Sequence, residues 1–247
     1  MGEKIRLDRL VASQMPKISR AEVKKLCLKS KISVNGKTVR RSDIRVDTDD
    51  EIIVDGKRIE YKKHIYIMLN KPRGVVCSTK EGSSTTVLDL VPEEMRRSGL
   101  FPAGRLDKDT LGFVLITDDG ELSHKMLSPK SHVPKTYLVR LEKPWEEEYE
   151  SVMLQGMTID GGEKCLPAEF KGSKDDPYMC ELVLHEGKFH QVKRMFSALG
   201  NNVVMLKRIA IGSMALDPEL APGRCLEIMH KDVERLLAKR PSDCKNM

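Results

Sequence analysis

The chain has 247 residues, 40% of them hydrophobic, with 43 Lys+Arg against 37 Asp+Glu and a formal net charge of +6. That length and apolar content suit one large domain or a small one joined to a larger one, and they exclude disorder as the dominant state. No run approaches the roughly 18 uncharged apolar residues of a membrane span, and MGEKIRLDRL lacks the apolar stretch of a secretory signal, so a cytoplasmic protein without membrane contact is expected.

The six cysteines (Cys27, Cys77, Cys165, Cys180, Cys225 and Cys244) form no C-x-x-C pair. They carry no zinc signature and read as ordinary reduced thiols. The charge is unevenly spread. Met1–Ile65 holds 17 Lys+Arg and 10 Asp+Glu, a net +7, whereas Tyr66–Met247 holds 26 and 27, a net −1. Positive charge gathered at one end is the footprint of a nucleic-acid-binding module.

Along this basic segment, Leu7, Leu10 and Val11 have helical spacing. Ser19 and Glu22 form a capping-box pattern that opens a second helix with Val23, Leu26 and Cys27 on one face. Arg20, Lys24, Lys25, Lys29 and Lys31 supply cations on or beside that helix and are candidate RNA contacts. Ile32–Val34 and Thr38-Val39 flank Asn35-Gly36, a signal for a tight β-hairpin, and Glu51–Val54 followed by Asp55-Gly56 reads as a further strand and turn.

The segment RLDRLVAS…SRAEVKKLCLKSKISVNGKTVRR…VDTDDEIIVDG resembles the small RNA-binding domain of the ribosomal protein S-four type. This resemblance implies RNA binding by residues 1–60, a small α/β-hairpin domain. Residues 61–64 are polar and read as a linker, and 65–240 form a second domain ahead of a polar tail, 241–247.

In that second domain Ile65–Leu69 is an apolar run, followed by Asn70-Lys71-Pro72-Arg73-Gly74, read as a turn. Phe113–Thr117 reads as a buried strand ended by Asp118-Asp119-Gly120, and Glu121–Leu127 as a short helix. Thr136–Leu141 and Met179–Leu184 are strands, while Glu146–Leu154, His190–Leu199 and Lys231–Ala238 are helical. This mixture predicts an α+β domain on a mostly antiparallel sheet. Trp145 and the 13 methionines read as packing residues.

Three stretches carry chemistry. Gly104–Gly112 (GRLDKDTLG) sets two carboxylates beside a cation directly before a buried strand, although by itself Asp-x-Asp-Thr also suits a turn or a metal. Lys135–Val139 (KTYLV) places Tyr137 at a strand start, as a packing residue or as a platform for a flipped base. Glu186–Met195 (EGKFHQVKRM) offers a glycine turn and a basic helix start to phosphate or to a carboxylate.

Together, GRLDKDTLGFVLITDDG, KTYLV and EGKFHQVKRM resemble the signature regions of the pseudouridine synthases, with MLNKPRGVVCST and LKRIAIG as supporting pieces. The match covers about Arg6 to Leu237 and looks most like the subgroup acting on small-subunit rRNA, for which Lys193 is the pointer. The resemblance implies cofactor-free, metal-free isomerisation of uridine. Asp107 is the essential carboxylate, whether it attacks the sugar, attacks the base or assists elimination, and Lys193 is its partner. Tyr137 stacks on the uracil, Arg105 fills the gap left by the flipped nucleotide, and Arg194 contacts RNA. Asp109 and Thr110 are assigned to loop structure. The partner is ribosomal RNA or an assembling small subunit, and the protein is expected to be a monomer. Two alternatives stay open: the same chemistry on large-subunit rRNA or tRNA, and a non-catalytic assembly factor.

Overall fold

The computed structural model describes residues 2–15, 17–79, 82 and 84–238. The polar tail expected after Ala238 lies outside the described residues. By internal contacts the chain forms two units, Met1–Ile65 with Glu93–Leu100, and Tyr66–Pro92 with Phe101–Met247.

In the first unit β1 (Lys4–Arg6) runs straight into α1 (Leu7–Gln14), which buries Leu7, Leu10 and Val11. The next helix, α2 (Arg20–Leu28), opens on both halves of the capping box: Glu22 N–H donates to Ser19 Oγ at 3.3 Å and Ser19 N–H to Glu22 Oε2 at 2.7 Å. Reciprocal caps of this kind stabilise a helix by about 1 kcal/mol. β2 (Ile32–Val34) and β3 (Lys37–Thr38) then pair through Asn35 and Gly36, both at positive φ (+49° and +74°). A two-residue hairpin loop of this type favours that conformation because its twist matches the strands.

β4 (Arg45–Asp47) returns to pair with β1. β5 (Ile52–Val54) and β6 (Lys57–Ile59) complete an antiparallel sheet of order β3-β2-β5-β6. Val23, Cys27, Ile32, Val46, Ile52 and Val54 join the α1 side chains in one core. The stretch read as a linker packs on this unit, since the Gln14 side chain bonds both the N–H and the carbonyl of Lys62.

The second unit is built on a nine-stranded sheet. Its strands in chain order are β7 (Tyr66–Lys71), β8 (Phe101–Ala103), β9 (Leu111–Thr117) and, after α3 (Gly120–Leu127), β10 (Lys135–Leu141). Next come α4 (Glu148–Gln155) and a small hairpin of β11 (Thr158–Ile159) and β12 (Glu163–Lys164) outside the main sheet. β13 (Glu169–Gly172), β14 (Met179–Leu184), α5 (Gln191–Ala198), β15 (Val203–Ile211), β16 (Met214–Ala215) and β17 (Cys225–Glu227) follow. The main path is β13-β14-β10-β15-β9-β7-β17, with β16 on β15 and β8 on β9. Each pair is antiparallel except β15 with β9. The α+β, mostly antiparallel architecture is therefore the one expected.

Two expectations are corrected. The turn read at Asn70–Gly74 begins later, because β7 continues through Asn70 and Lys71, both buried and both hydrogen-bonded. The last helix is a 3-10 segment, His230–Leu236, with no side-chain cap on its first turn. It covers a core of Tyr66, Met68, Phe113, Leu115, Met126 and Leu236, and a second core joins β10 and β14 to α4 and α5. Trp145 packs beside that second core, as read. No helix among the described residues is long and apolar enough to cross a membrane.

Candidate active site and nucleic-acid interface

The site forms where the antiparallel pattern breaks. β9 meets β15 in parallel at Leu111↔Lys207 and Gly112↔Arg208. Gly112 has φ +97°, and a Cβ there would lie 2.2 Å from the Arg208 carbonyl oxygen. Only glycine permits both this backbone and this approach. The Arg208 guanidinium crosses the seam, Nε donating to the Phe113 carbonyl at 2.8 Å. The loop from Gly104 to Thr110 enters β9 at this point.

That loop is held from beneath by a residue outside the three chemical stretches. Lys71, fully buried, donates from Nζ to the carbonyls of Pro72, Lys108 and Thr110 at 3.1, 3.2 and 2.7 Å. The Lys108 carbonyl also accepts from Gly74 N–H at 2.8 Å, Leu106 N–H reaches Cys77 Sγ at 3.4 Å, and Thr110 N–H donates to the Asp107 carbonyl at 3.1 Å. Burial pulls the Lys71 pKa down, while charges on Cys77, Asp109 and Asp107 act against that pull. A buried ammonium persists only when its donors are met, and here three carbonyls meet them.

Lys71→Met keeps the length and removes the donors. It is expected to lower stability by about 2–4 kcal/mol, since carbonyls are left unsatisfied. Activity should fall further than stability explains, which comparison of kcat with the melting temperature will show.

Asp107 stands half-buried on this loop between an ammonium and an imidazole. Its Oδ2 lies 3.3 Å from Lys193 Nζ and its Oδ1 3.5 Å from His190 Nε2. Lys193, in the first turn of α5, comes closer to Asp109, with 2.7 and 2.9 Å hydrogen bonds to its two oxygens. The expected Asp107–Lys193 pair is thus a three-member cluster with Asp109 in it. Asp109 does more than shape the loop: the Lys193 hydrogen bond, acting against partial desolvation, holds its carboxyl below the usual range. One ammonium between the two carboxylates offsets part of their mutual repulsion.

His190 was not picked out from sequence, although it occupies the helix-start position of EGKFHQVKRM. It precedes α5 with φ +49° and ψ +32°, a left-handed backbone uncommon outside glycine. Arg194, expected to contact RNA, has a side chain 21% exposed. Its guanidinium is engaged within the protein, by Asp160 through Nε, Glu163 at 2.8 Å and the Phe189 carbonyl at 3.1 Å. Opposite charge and a rigid fork make this an anchor between α5 and the β11–β12 hairpin.

Tyr137 lies on β10 directly opposite Arg208 of β15, which in turn faces Gly112 of β9. The tyrosine backbone is therefore two strand spacings, about 10 Å, from the seam that the Asp107 loop enters. Lys135 shares the Tyr137 face of β10 and is buried, which pushes its pKa down to about 8, with the Arg208 charge adding to the effect. Arg105 is exposed beside Asp107.

On the first unit Lys24 and Lys25 on α2 and Lys29 just after it are exposed, without an ion pair among the described residues. Arg20 and Lys31 are also exposed but share their charge with Asp8 and Asp55, each at 3.0 Å. Asp8 itself is buried, and hydrogen bonds from Arg6 and then Arg20 hold its pKa down against desolvation. A shallow groove lined by Ser30, Thr38, Val39, Arg40, Arg41 and Ile44 adds two arginines to this surface. Both follow the hairpin, and the run of basic residues there was the signal available.

A basic module and an aspartate loop on a mostly antiparallel sheet define an RNA-modifying enzyme, and comparison with known proteins agrees. The RNA pseudouridylate synthase family matches residues 65–198 and the S4 domain matches residues 5–52, so the chain belongs to the pseudouridine synthases and carries an S4 RNA-binding domain. It is 44% identical over 236 residues to "Uncharacterized RNA pseudouridine synthase YtzG" of Bacillus subtilis, covering 94% of this chain and 98% of that one. It is 38% identical over 230 residues to "Ribosomal small subunit pseudouridine synthase A" of Escherichia coli, covering 93% and 98%. A solved structure described as "Crystal structure of pseudouridylate synthase" superposes with a TM-score of 0.66 at 38% identity, over 94% of this chain and 99% of that one. The protein is an enzyme that isomerises uridine in RNA.

Proposed function

We propose that this enzyme converts one uridine of small-subunit rRNA to pseudouridine in the cytoplasm, without cofactor or metal, acting as a monomer. The observation that carries the reading is the Asp107 carboxylate, held on a braced loop between Lys193 at 3.3 Å and His190 at 3.5 Å. The likeness to relatives named for the small ribosomal subunit supports the choice of RNA.

In the reaction the bond from ribose to the uracil nitrogen breaks, the base rotates, and a carbon–carbon bond to ribose forms. The hydrogen on that carbon leaves, and the released nitrogen takes one up. Asp107 acts ionised, as a nucleophile or base must. The Lys193 ammonium beside it favours that form as substrate excludes water. The uridine is flipped from its helix at a cost of a few kcal/mol. Tyr137 stacks on it, exposed Arg105 takes its place, and phosphate contacts from the S4 domain offset the cost.

Mapping pseudouridines in total RNA from a deletion strain tests this. The loss of one site in small-subunit rRNA is expected. A lost site in large-subunit rRNA or tRNA would change the substrate, and no lost site would favour an assembly role.

The basic surface gives a second measurement. Replacing Lys24, Lys25 and Lys29 together with Ala should flatten the dependence of log affinity on log salt by about 2, as roughly 0.7 is lost per phosphate contact to a single strand. An unchanged slope in filter binding would place the main RNA contact elsewhere.

A further inference from the structure

We propose that Phe189, backed by His190, is a stacking platform for the RNA base next to the target uridine; the proposal rests on the reading that Asp107 acts on that uridine. Phe189 is 72% exposed, the most exposed of the large hydrophobic side chains described. In a chain with only 11 aromatic residues, one left this open stands apart. Its ring lies 3.8 Å from the His190 ring, centroid to centroid, with 20° between the planes. One face of the phenyl group is thus covered by imidazole, and the remaining surface is open to solvent.

The frame around the ring is rigid. Lys188 N–H donates to Gln191 Oε1 at 2.9 Å, Gln191 Nε2 to Glu186 at 2.8 Å, and the Phe189 carbonyl accepts from Arg194 at 3.1 Å. His190 adopts its left-handed backbone between these anchors, so the stacked pair is presented by an uncommon conformation rather than by a slack loop. Strained backbone persists where surrounding contacts over-determine it, and such positions cluster at ligand clamps. The other edge of the imidazole is 3.5 Å from Asp107, which sets the platform one residue away from the reacting centre.

The occupant follows from the chemistry. An apolar, planar surface beside a carboxylate that acts on a nucleotide fits another planar π-system on the same strand. Every base has such a face, so the contact adds affinity without selecting sequence. Stacking on Phe189 would hold the neighbouring nucleotide in place while the uridine turns out.

The test uses the full chain and small-subunit rRNA. Phe189→Ala should raise Kd and KM by about 5- to 150-fold, the range for one lost base stack, with a smaller change in kcat. The effect should be the same at every salt concentration, because no phosphate contact is lost, and Phe189→Trp should restore affinity. An unchanged Kd and KM, or a loss that Trp does not repair while the melting temperature holds, would overturn the platform. The comparison is repeated in the Asp107→Asn background by binding alone. Turnover by Asp107→Asn would defeat the Asp107 reading, and that outcome is separate from any result at Phe189.

Discussion

Asp107→Asn is expected to reduce pseudouridine formation by about 10³-fold or more while leaving RNA affinity within about twofold. The amide keeps the shape of the carboxylate, and the loop keeps its backbone anchors to Lys71 and Gly74. What it removes is the negative charge, and a neutral amide is neither nucleophile nor base. Lys193 keeps its two short bonds to Asp109, so no ammonium is stranded by the change. Mass spectrometry of modified transcript, with binding measured in parallel, separates the effects. Product at the normal rate would remove Asp107 from the chemistry. Asp109→Asn is the matched comparison: it removes the charge of the closest partner of Lys193 and leaves the Asp107 side chain in place.

Gly112→Ala should be the most damaging change that adds a single methyl group. Two penalties coincide. The φ of +97° is strained for alanine at about 1–3 kcal/mol, and the new Cβ would meet the Arg208 carbonyl at 2.2 Å. The obstacle is backbone in a strand, which cannot swing aside, so overpacking adds about 1–3 kcal/mol. A loss of about 3 kcal/mol or more is expected by denaturant unfolding. Activity should be absent even where the protein stays folded, because relief of the clash moves β9 and with it the Asp107 loop. A stable, active Gly112→Ala enzyme would mean that the close β9–β15 approach is dispensable.

The capping box at Ser19, the Asn35-Gly36 hairpin and the buried strand at Phe113–Thr117 were legible because each is a local code, written in neighbouring residues. The chemical stretches were legible for the same reason: Asp107 sits in a dense run of Gly, Arg and Asp, and Lys193 follows a glycine turn at a basic helix start. The division of Lys193 between Asp107 and Asp109 was not, since both carboxylates lie at similar chain distance and only three-dimensional packing chooses. Lys71 read as part of a turn, because a lysine before proline seldom signals burial. Its three carbonyl acceptors come from Pro72, Lys108 and Thr110, and no local pattern announces them. The internal partners of Arg194 were hidden for a related reason. Its carboxylate partners, Asp160 and Glu163, lie on a hairpin too short to be read from sequence.

The parallel seam also has a bearing on synthesis. The Arg208–Phe113 hydrogen bond spans 95 residues, so the two sides of the seam are made far apart in time. Contacts this distant in sequence form late, after the entropy of closing the intervening chain is met. The residues matched by the S4 domain, 5–52, are made first and can begin to fold while the rest is still on the ribosome. A nascent chain would therefore acquire its affinity for RNA well before its ability to modify it.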